Sequence, residues 1–328
     1  MRTDVFRILI RIEKHISIFV LTREPGFLYF PWIRGKRGNM KIHHILERGT
    51  ARINEDCLVI EDNIFGVFDG ATSLDRQTFE QGKTGGMIAS QTARSVFRKN
   101  HYPLGQLARK ANQEIMNQMI RHGVDISRKE SLWSTSAAVV RVKERVLEWV
   151  RTGDAVILLV YEDGSHRVLA DREDHDHETL TLWKDMVEDR IGTDPAGPGR
   201  TGSGTGDRDR ALPPIHQALA GQIQKVRSGM NITYGVLNGE KEAEPFLYQG
   251  TESLDRVRDV LLFTDGLSLP RETPEKKRDF TSLVKDYLLL GLEGLKTKIR
   301  EKEKKDPFCL AFPRFKCHDD IAAIAITF

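Results

Sequence analysis

The chain has 328 residues, with 50 Lys and Arg against 47 Asp and Glu, a formal net charge of +3, 39% hydrophobic and 30% charged residues. That composition fits a soluble globular protein with one large domain or two ordinary ones. The near balance of charge argues against a nucleic-acid-binding face, and no apolar run reaches the ~18 residues that span a bilayer. Three scattered cysteines, Cys57, Cys309 and Cys317, are too few for a disulfide framework and point to a reducing, cytoplasmic setting.

In chain order, Val5 to Leu21 is apolar but interrupted by Arg7, Arg11, Glu13, Lys14 and His15, which does not suit a secretory signal. Residues 26–39 are turn-rich and basic. Residues 1–39 therefore read as an N-terminal extension, with a misplaced start site as one origin. Lys41–Glu47 reads as the first strand of a domain running from 40 to 328. Cys57–Ile60 and Ile64–Phe68 read as paired strands around Glu61-Asp62-Asn63. Gly85–Lys99 and Leu104–Met119 carry helical periodicity, the second with Leu104, Leu107, Ala108, Ala111, Ile115 and Met119 on one face. Ser136–Val142, Val146–Arg151 and Val156–Tyr161 are β-type runs.

Residues 171–210 form a polar insertion, and its Gly-, Ser- and Pro-rich part, 193–210, reads as a mobile surface loop. A helix is expected over Pro214–Arg227. Strands follow at Ile232–Leu237, Pro245–Tyr248 and Arg258–Phe263. A helix over Phe280–Arg300 and a final strand over Ile321–Phe328 close the chain. Runs of strands interrupted by helices predict an α+β fold with mainly antiparallel sheets.

Two strands end in the same way. Ile64-Phe65-Gly66-Val67-Phe68 runs into Asp69-Gly70, and Val260-Leu261-Leu262-Phe263-Thr264 runs into Asp265-Gly266. A carboxylate at the end of a buried strand is held on a rigid element, and the glycine after it allows close approach to the backbone. With Glu55, Asp56, Asp154 and Asp319, these residues are candidates for a site holding hard cations, which prefer carboxylate and carbonyl oxygens. Two such ions can clamp a phosphate and activate water at neutral pH.

Six segments in order resemble the protein phosphatase 2C family of metal-dependent serine/threonine phosphatases, in its bacterial form. They are Arg52-Ile53-Asn54-Glu55-Asp56, Gly66-Val67-Phe68-Asp69-Gly70, Ser134-Thr135-Ser136-Ala137-Ala138, Thr152-Gly153-Asp154-Ala155, Leu261 to Gly266, and Asp319-Asp320-Ile321-Ala322. The resemblance implies a four-layer αββα sandwich, two packed antiparallel sheets flanked by helix pairs. It implies Mn²⁺ or Mg²⁺, two ions and a third more weakly held. Asp69 would bridge the two ions, with the Gly70 carbonyl and Glu55 on one of them and Asp265 and Asp319 on the other. Asp154 would serve the third. Asp56 would orient the hydroxide bridging the metals, and Arg52 would hold the phosphate. That hydroxide would attack phosphorus directly, with no covalent enzyme intermediate. The implied partner is a phosphorylated protein, and the expected state a monomer.

The chain departs from the family pattern in three places. Arg52 stands three residues before Glu55, where members often have the arginine four before, and Arg48 stands seven before. Ala71 occupies the place of a histidine that some members use as a general acid. The segment after Gly70 lacks a second glycine, with Gly85-Gly86 a candidate to lie near the site instead. Two other readings stay open: a pseudophosphatase acting as a binding module, and a two-metal phosphoesterase for small molecules.

Elsewhere the plain reading leads. His175-Asp176-His177 reads as a solvated loop, Cys317-His318 as a packed thiol and an incidental histidine, and Lys296–Lys305 as an exposed helix end. Trp133, Trp149 and Trp183 read as packing residues.

Overall fold

The structure, a computed structural model, describes residues 6–12, 15–21, 27–29, 40–71, 73–75, 77–171, 175–192 and 215–328. Its strands are β1 (Phe6–Ile12), β2 (His15–Leu21), β3 (Phe27–Tyr29), β4 (Lys41–Glu47), β5 (Cys57–Glu61), β6 (Ile64–Ala71) and β7 (Ser134–Lys143). They continue with β8 (Val146–Thr152), β9 (Val156–Tyr161), β10 (His166–Val168), β11 (Tyr248–Ser253), β12 (Val257–Phe263) and β13 (Ile321–Thr327). The helices are α1 (Gly85–Phe97), α2 (Leu104–Arg121), α3 (His177–Gly192), α4 (Ile215–Ala218), α5 (Ala220–Ser228) and α6 (Phe280–Lys304).

Strands β1 and β2 pair only with each other. The remaining strands form a six-stranded sheet, β10-β9-β12-β13-β4-β3, and a five-stranded sheet, β11-β8-β7-β6-β5, with antiparallel neighbours throughout. The two sheets face each other across a core that includes Phe65, Val67, Val140, Leu159, Leu262 and Ile324. The long apolar runs in β7, β9, β12 and β13 are buried on both faces, because helices cover the outer sides. Phe68, Phe97, Leu107, Ile115 and Trp133 seal α1 and α2 onto the five-stranded sheet. Val156, Leu261, Phe263, Leu283, Leu295 and Ile299 seal α6 onto the other. Helix α6 breaks at Gly291, where φ is 71°, so it acts as two successive helices. The four-layer αββα arrangement expected from the sequence is the one observed. Removing a fully buried aromatic such as Phe263 would cost about 3–5 kcal/mol.

Helix α1 starts at Thr84, whose Oγ1 accepts from Met87 N at 3.2 Å, an N-cap of the usual kind. Its buried face is small near the start, with Gly85, Gly86, Ala89 and Ser90, which lets it lie close against β6. The buried face of α2 includes all six residues expected from its periodicity.

Three expectations differ from what is observed. The polar insertion contains α3, whose Leu180, Trp183 and Val187 form a helical stripe and build a small separate core with Ile215 and Leu219. The charged run before this helix masked the stripe. The expected loop 193–210 lies outside the described residues. Residues 232–237 form no strand; Asn231 replaces the ladder, accepting from Val236 N through its side chain at 2.9 Å. Residues 241–246 form a 3₁₀ helix containing Pro245, and β11 begins only at Tyr248.

No helix among the described residues is long and apolar enough to cross a membrane. All three cysteines are free, and Trp133, Trp149 and Trp183 are buried as expected.

Candidate active site

Strand register brings the carboxylates together. Strand β6 is interior to its sheet, between β5 and β7, and Asp69 sits opposite Ser136. Strand β12 is interior to the other sheet, and Phe263 pairs with both Val156 and Ala323. In an antiparallel pair, chains that continue past a register point stay neighbours. Asp265, two residues beyond Phe263, therefore meets Asp154, two residues before Val156. Asp154 lies in the turn that carries the chain from the five-stranded sheet to the six-stranded one, where Gly153 has φ of 73°.

Carboxylate oxygens of Asp69, Asp154 and Asp265 all lie within 4.8 Å of one another. Burial raises the pKa of Asp69 well above the ordinary carboxylate range, and the charges of Asp56, Asp265, Asp154 and Asp319 raise it further. Asp265 is raised likewise, by burial and then by Asp319 and Asp154, against a lowering from Arg278. Clustered carboxylates that resist ionisation are a set of hard oxygen donors short of positive charge, which suits a hard divalent cation. The backbone fits too. A Cβ added at Gly70 would lie 2.4 Å from Gly86 O and 2.6 Å from Glu55 O, so a bare backbone is required there. Gly86 thus reaches the site, as the sequence suggested.

The residues around this group are firmly anchored. Asp56, 7% exposed, accepts from Thr264 Oγ1 at 2.7 Å through Oδ2. Burial raises its pKa strongly; Asp319 and Asp320 add to the rise, and the Thr264 bond and Lys316 oppose it. The Glu55 carboxylate accepts from Thr84 Oγ1 at the start of α1, and its carbonyl accepts from Ser90 Oγ at 2.6 Å. Asp154 Oδ1 accepts from Ser136 Oγ at 2.7 Å.

Asp319 and Asp320 divide their work. Asp320 is 2% exposed and accepts from Gly49 N at 2.8 Å and Glu55 N at 2.9 Å, clamping the 49–55 segment. Asp319 shares a cavity of about 110 Å³ with Asp265, Arg271, Arg278 and Lys316. It lies outside the three-carboxylate group, and its Oδ1 accepts from Lys316 Nζ at 2.6 Å. Its carbonyl accepts from Arg300 Nη2 at 2.6 Å. Arg300 in turn pairs with Glu47 at 2.9 Å and Glu303 at 3.0 Å. The Lys296–Lys305 stretch is thus an exposed helix end on one side only, since Arg300 and Glu303 are buried. His318 is not incidental either, because its Nδ1 lies 2.7 Å from Glu303 Oε2.

Arg52 is exposed and is not among the residues lining that cavity; Arg48 Nη1 donates to its carbonyl at 3.0 Å. A second cavity of about 780 Å³ adjoins the first, sharing Arg271 and Arg278 and adding Lys276, Lys277, His175 and Tyr234. The solvated reading of His175 fails. Its ring stacks on Tyr234 at 4.0 Å, and it forms a further ligand-type group with Asp154 and Asp176. The sequence reading gave no role to Thr264, Ser136 or Lys316, although Ser136 and Thr264 stand inside two of the segments that carry the resemblance; Lys316 had only its place three residues before Asp319 as a signal.

The sequence profile of the family described as Protein phosphatase 2C matches residues 55–301. The chain belongs to the protein phosphatase 2C family of serine/threonine phosphatases. Among curated proteins none matches. Among solved structures, the catalytic domain of the serine/threonine protein phosphatase PstP in complex with two manganese ions is similar at a TM-score of 0.52 and 16% identity, over 88% of this chain and 97% of that one. The Mycobacterium tuberculosis serine/threonine phosphatase PstP/Ppp is similar at a TM-score of 0.51 and 16% identity, over 88% of this chain and 98% of the other. At that identity the likeness carries the fold alone.

Proposed function

We propose that this phosphatase hydrolyses phosphoserine and phosphothreonine in proteins with two Mn²⁺ or Mg²⁺ ions and a weaker third. The observation that carries the reading is the convergence of Asp69, Asp154 and Asp265 within 4.8 Å at the ends of strands from two sheets. Asp69, the Gly70 carbonyl and Glu55 would hold one ion, Asp69, Asp265 and Asp319 the other, and Asp154 the third. When bound, such ions neutralise phosphate charge and activate water for in-line attack. Asp56, fixed through Oδ2 by Thr264, would hydrogen-bond the attacking water. Arg271 and Arg278 line the adjoining cavities and supply positive potential for the phosphate. Arg52 is exposed and lines neither cavity, so the arginines that line them are the better candidates to hold the phosphate. The larger cavity, with Lys276 and Lys277 beside those arginines and Asp171 and Glu275 opposing them, suits a phosphorylated segment of protein chain. The outward position of Arg52 is the one observation that favours a metal-binding pseudophosphatase instead.

The test is Mn²⁺-dependent hydrolysis of a phosphothreonine peptide by the wild type and by Asp265→Asn. Turnover that requires Mn²⁺ and disappears in the variant supports the phosphatase reading. Bound Mn²⁺ without turnover in the wild type moves the assignment to the pseudophosphatase.

A further inference from the structure

Lys316 differs from an ordinary surface lysine. Its segment is pinned by Arg314, which donates to Cys317 O at 3.1 Å through Nε, and to Phe312 O and Asp306 Oδ2, each at 2.8 Å, through Nη1. From that support the side chain runs into the cavity it shares with Asp265 and Asp319 and is about one-third exposed. Its ammonium lies 2.6 Å from Asp319 Oδ1, an oxygen that also accepts from Asp320 N at 2.8 Å. The cluster therefore contains a cation of its own in direct contact with Asp319.

An ammonium and a divalent ion cannot share one carboxylate at contact distance without strong repulsion in a partly dry site. Asp319 Oδ1 already accepts from both Lys316 Nζ and Asp320 N, so an ion would have to bind the same carboxylate beside a bound positive charge. We propose that Lys316 is a built-in competitor for the divalent cation at Asp319: its ammonium partly neutralises that carboxylate and repels an incoming ion, so the Asp319 side loads later and more weakly than the Asp69 side. This inference rests on the two-ion reading of the site. It gives the chain a threshold, because full loading requires enough divalent cation to overcome the charge of the ammonium.

The test is Mn²⁺ binding to metal-stripped protein, followed by titration calorimetry and by the electron paramagnetic resonance signal of free Mn²⁺, without reference to turnover. The wild type is expected to show two separated steps. In Lys316→Met, which keeps the stem and removes the charge, the weaker step should tighten on the order of tenfold, with the tighter step unchanged. Asp319→Asn should abolish the weaker step in either background. Thermal unfolding adds a readout that a purely structural lysine would not give: Lys316→Met should be less stable than wild type in chelator and at least as stable in saturating Mn²⁺. Lys316→Gln serves as a second uncharged variant should Lys316→Met fold poorly. A weaker step of unchanged affinity in both variants overturns the proposal while leaving the metal-site reading intact. Absence of any Mn²⁺ binding in the wild type overturns both.

Discussion

Thr264 Oγ1 donates to Asp56 Oδ2 at 2.7 Å, joining residues 208 positions apart, while the same oxygen accepts from Ala322 N at 2.9 Å. One hydroxyl therefore ties the segment before β5 to the end of β12 and the start of β13. Thr264→Val keeps the shape and strips both bonds. It should cost about 1–3 kcal/mol, since a buried amide and a buried carboxylate lose their partner. Urea denaturation should register that loss, and Thr264→Ser should recover most of it. Equal stability of the Val and Thr forms would show that the hydroxyl anchors nothing.

The raised carboxylates have a signed consequence for stability. In metal-free protein, folded Asp265 holds its proton at pH values where the unfolded chain has released it. Stability from this group is therefore fully present below the unfolded pKa and lost as pH rises through the raised folded one. Asp265→Asn escapes the penalty. In chelator the variant should melt above the wild type at pH 8, with a gap of roughly 2–4 °C per kcal/mol relieved that narrows on acidification. Excess Mn²⁺ should reverse the order. A variant that melts lower in chelator at every pH would contradict the charge-crowding account.

Much of this platform was legible in the sequence and some was not, for physical reasons. Apolar strands that run into Asp-Gly, as at Asp69 near the end of β6 and Asp265 just beyond β12, announce themselves because long apolar runs fix both burial and direction. The antiparallel α+β class follows from the same runs, whereas the αββα layering came from the family resemblance. Helix α3 was hidden because composition averaged over 171–210 is polar, although Leu180, Trp183 and Val187 keep helical spacing. The 232–237 run failed as a strand because the side chain of Asn231 took the Val236 amide, leaving only Leu237 to bridge to Thr135 of β7. The competition at Asp319 was invisible because the meeting of Lys316 with a distant cluster depends on tertiary geometry rather than on pattern.

Asp320 is a clamp. Replacing it with Ala would leave the Gly49 and Glu55 amides without their acceptor, at a cost of about 2–4 kcal/mol. Asp320→Asn keeps one acceptor oxygen and should fall between the two. Chemical denaturation checks the order, which fails if Asn and Ala are equivalent.

The thiols should react in sequence. Burial pushes the Cys57 pKa up to about 12 and the Cys309 pKa up to about 11, and both side chains are nearly inaccessible. Thiolate is the reactive form. Iodoacetamide at pH 8 should modify Cys317 in the folded protein and reach the other two only on unfolding, as mass mapping would reveal. Rapid labelling of Cys57 in native protein would contradict its packing.

Asp69 belongs to the five-stranded sheet and Asp265 to the six-stranded one. An ion coordinated by both would be a rivet through the two layers rather than an ornament on one loop. Sliding one sheet over the other would then break coordination before it unzipped a strand. Occupancy would set the shear stiffness of the sandwich as well as its chemistry.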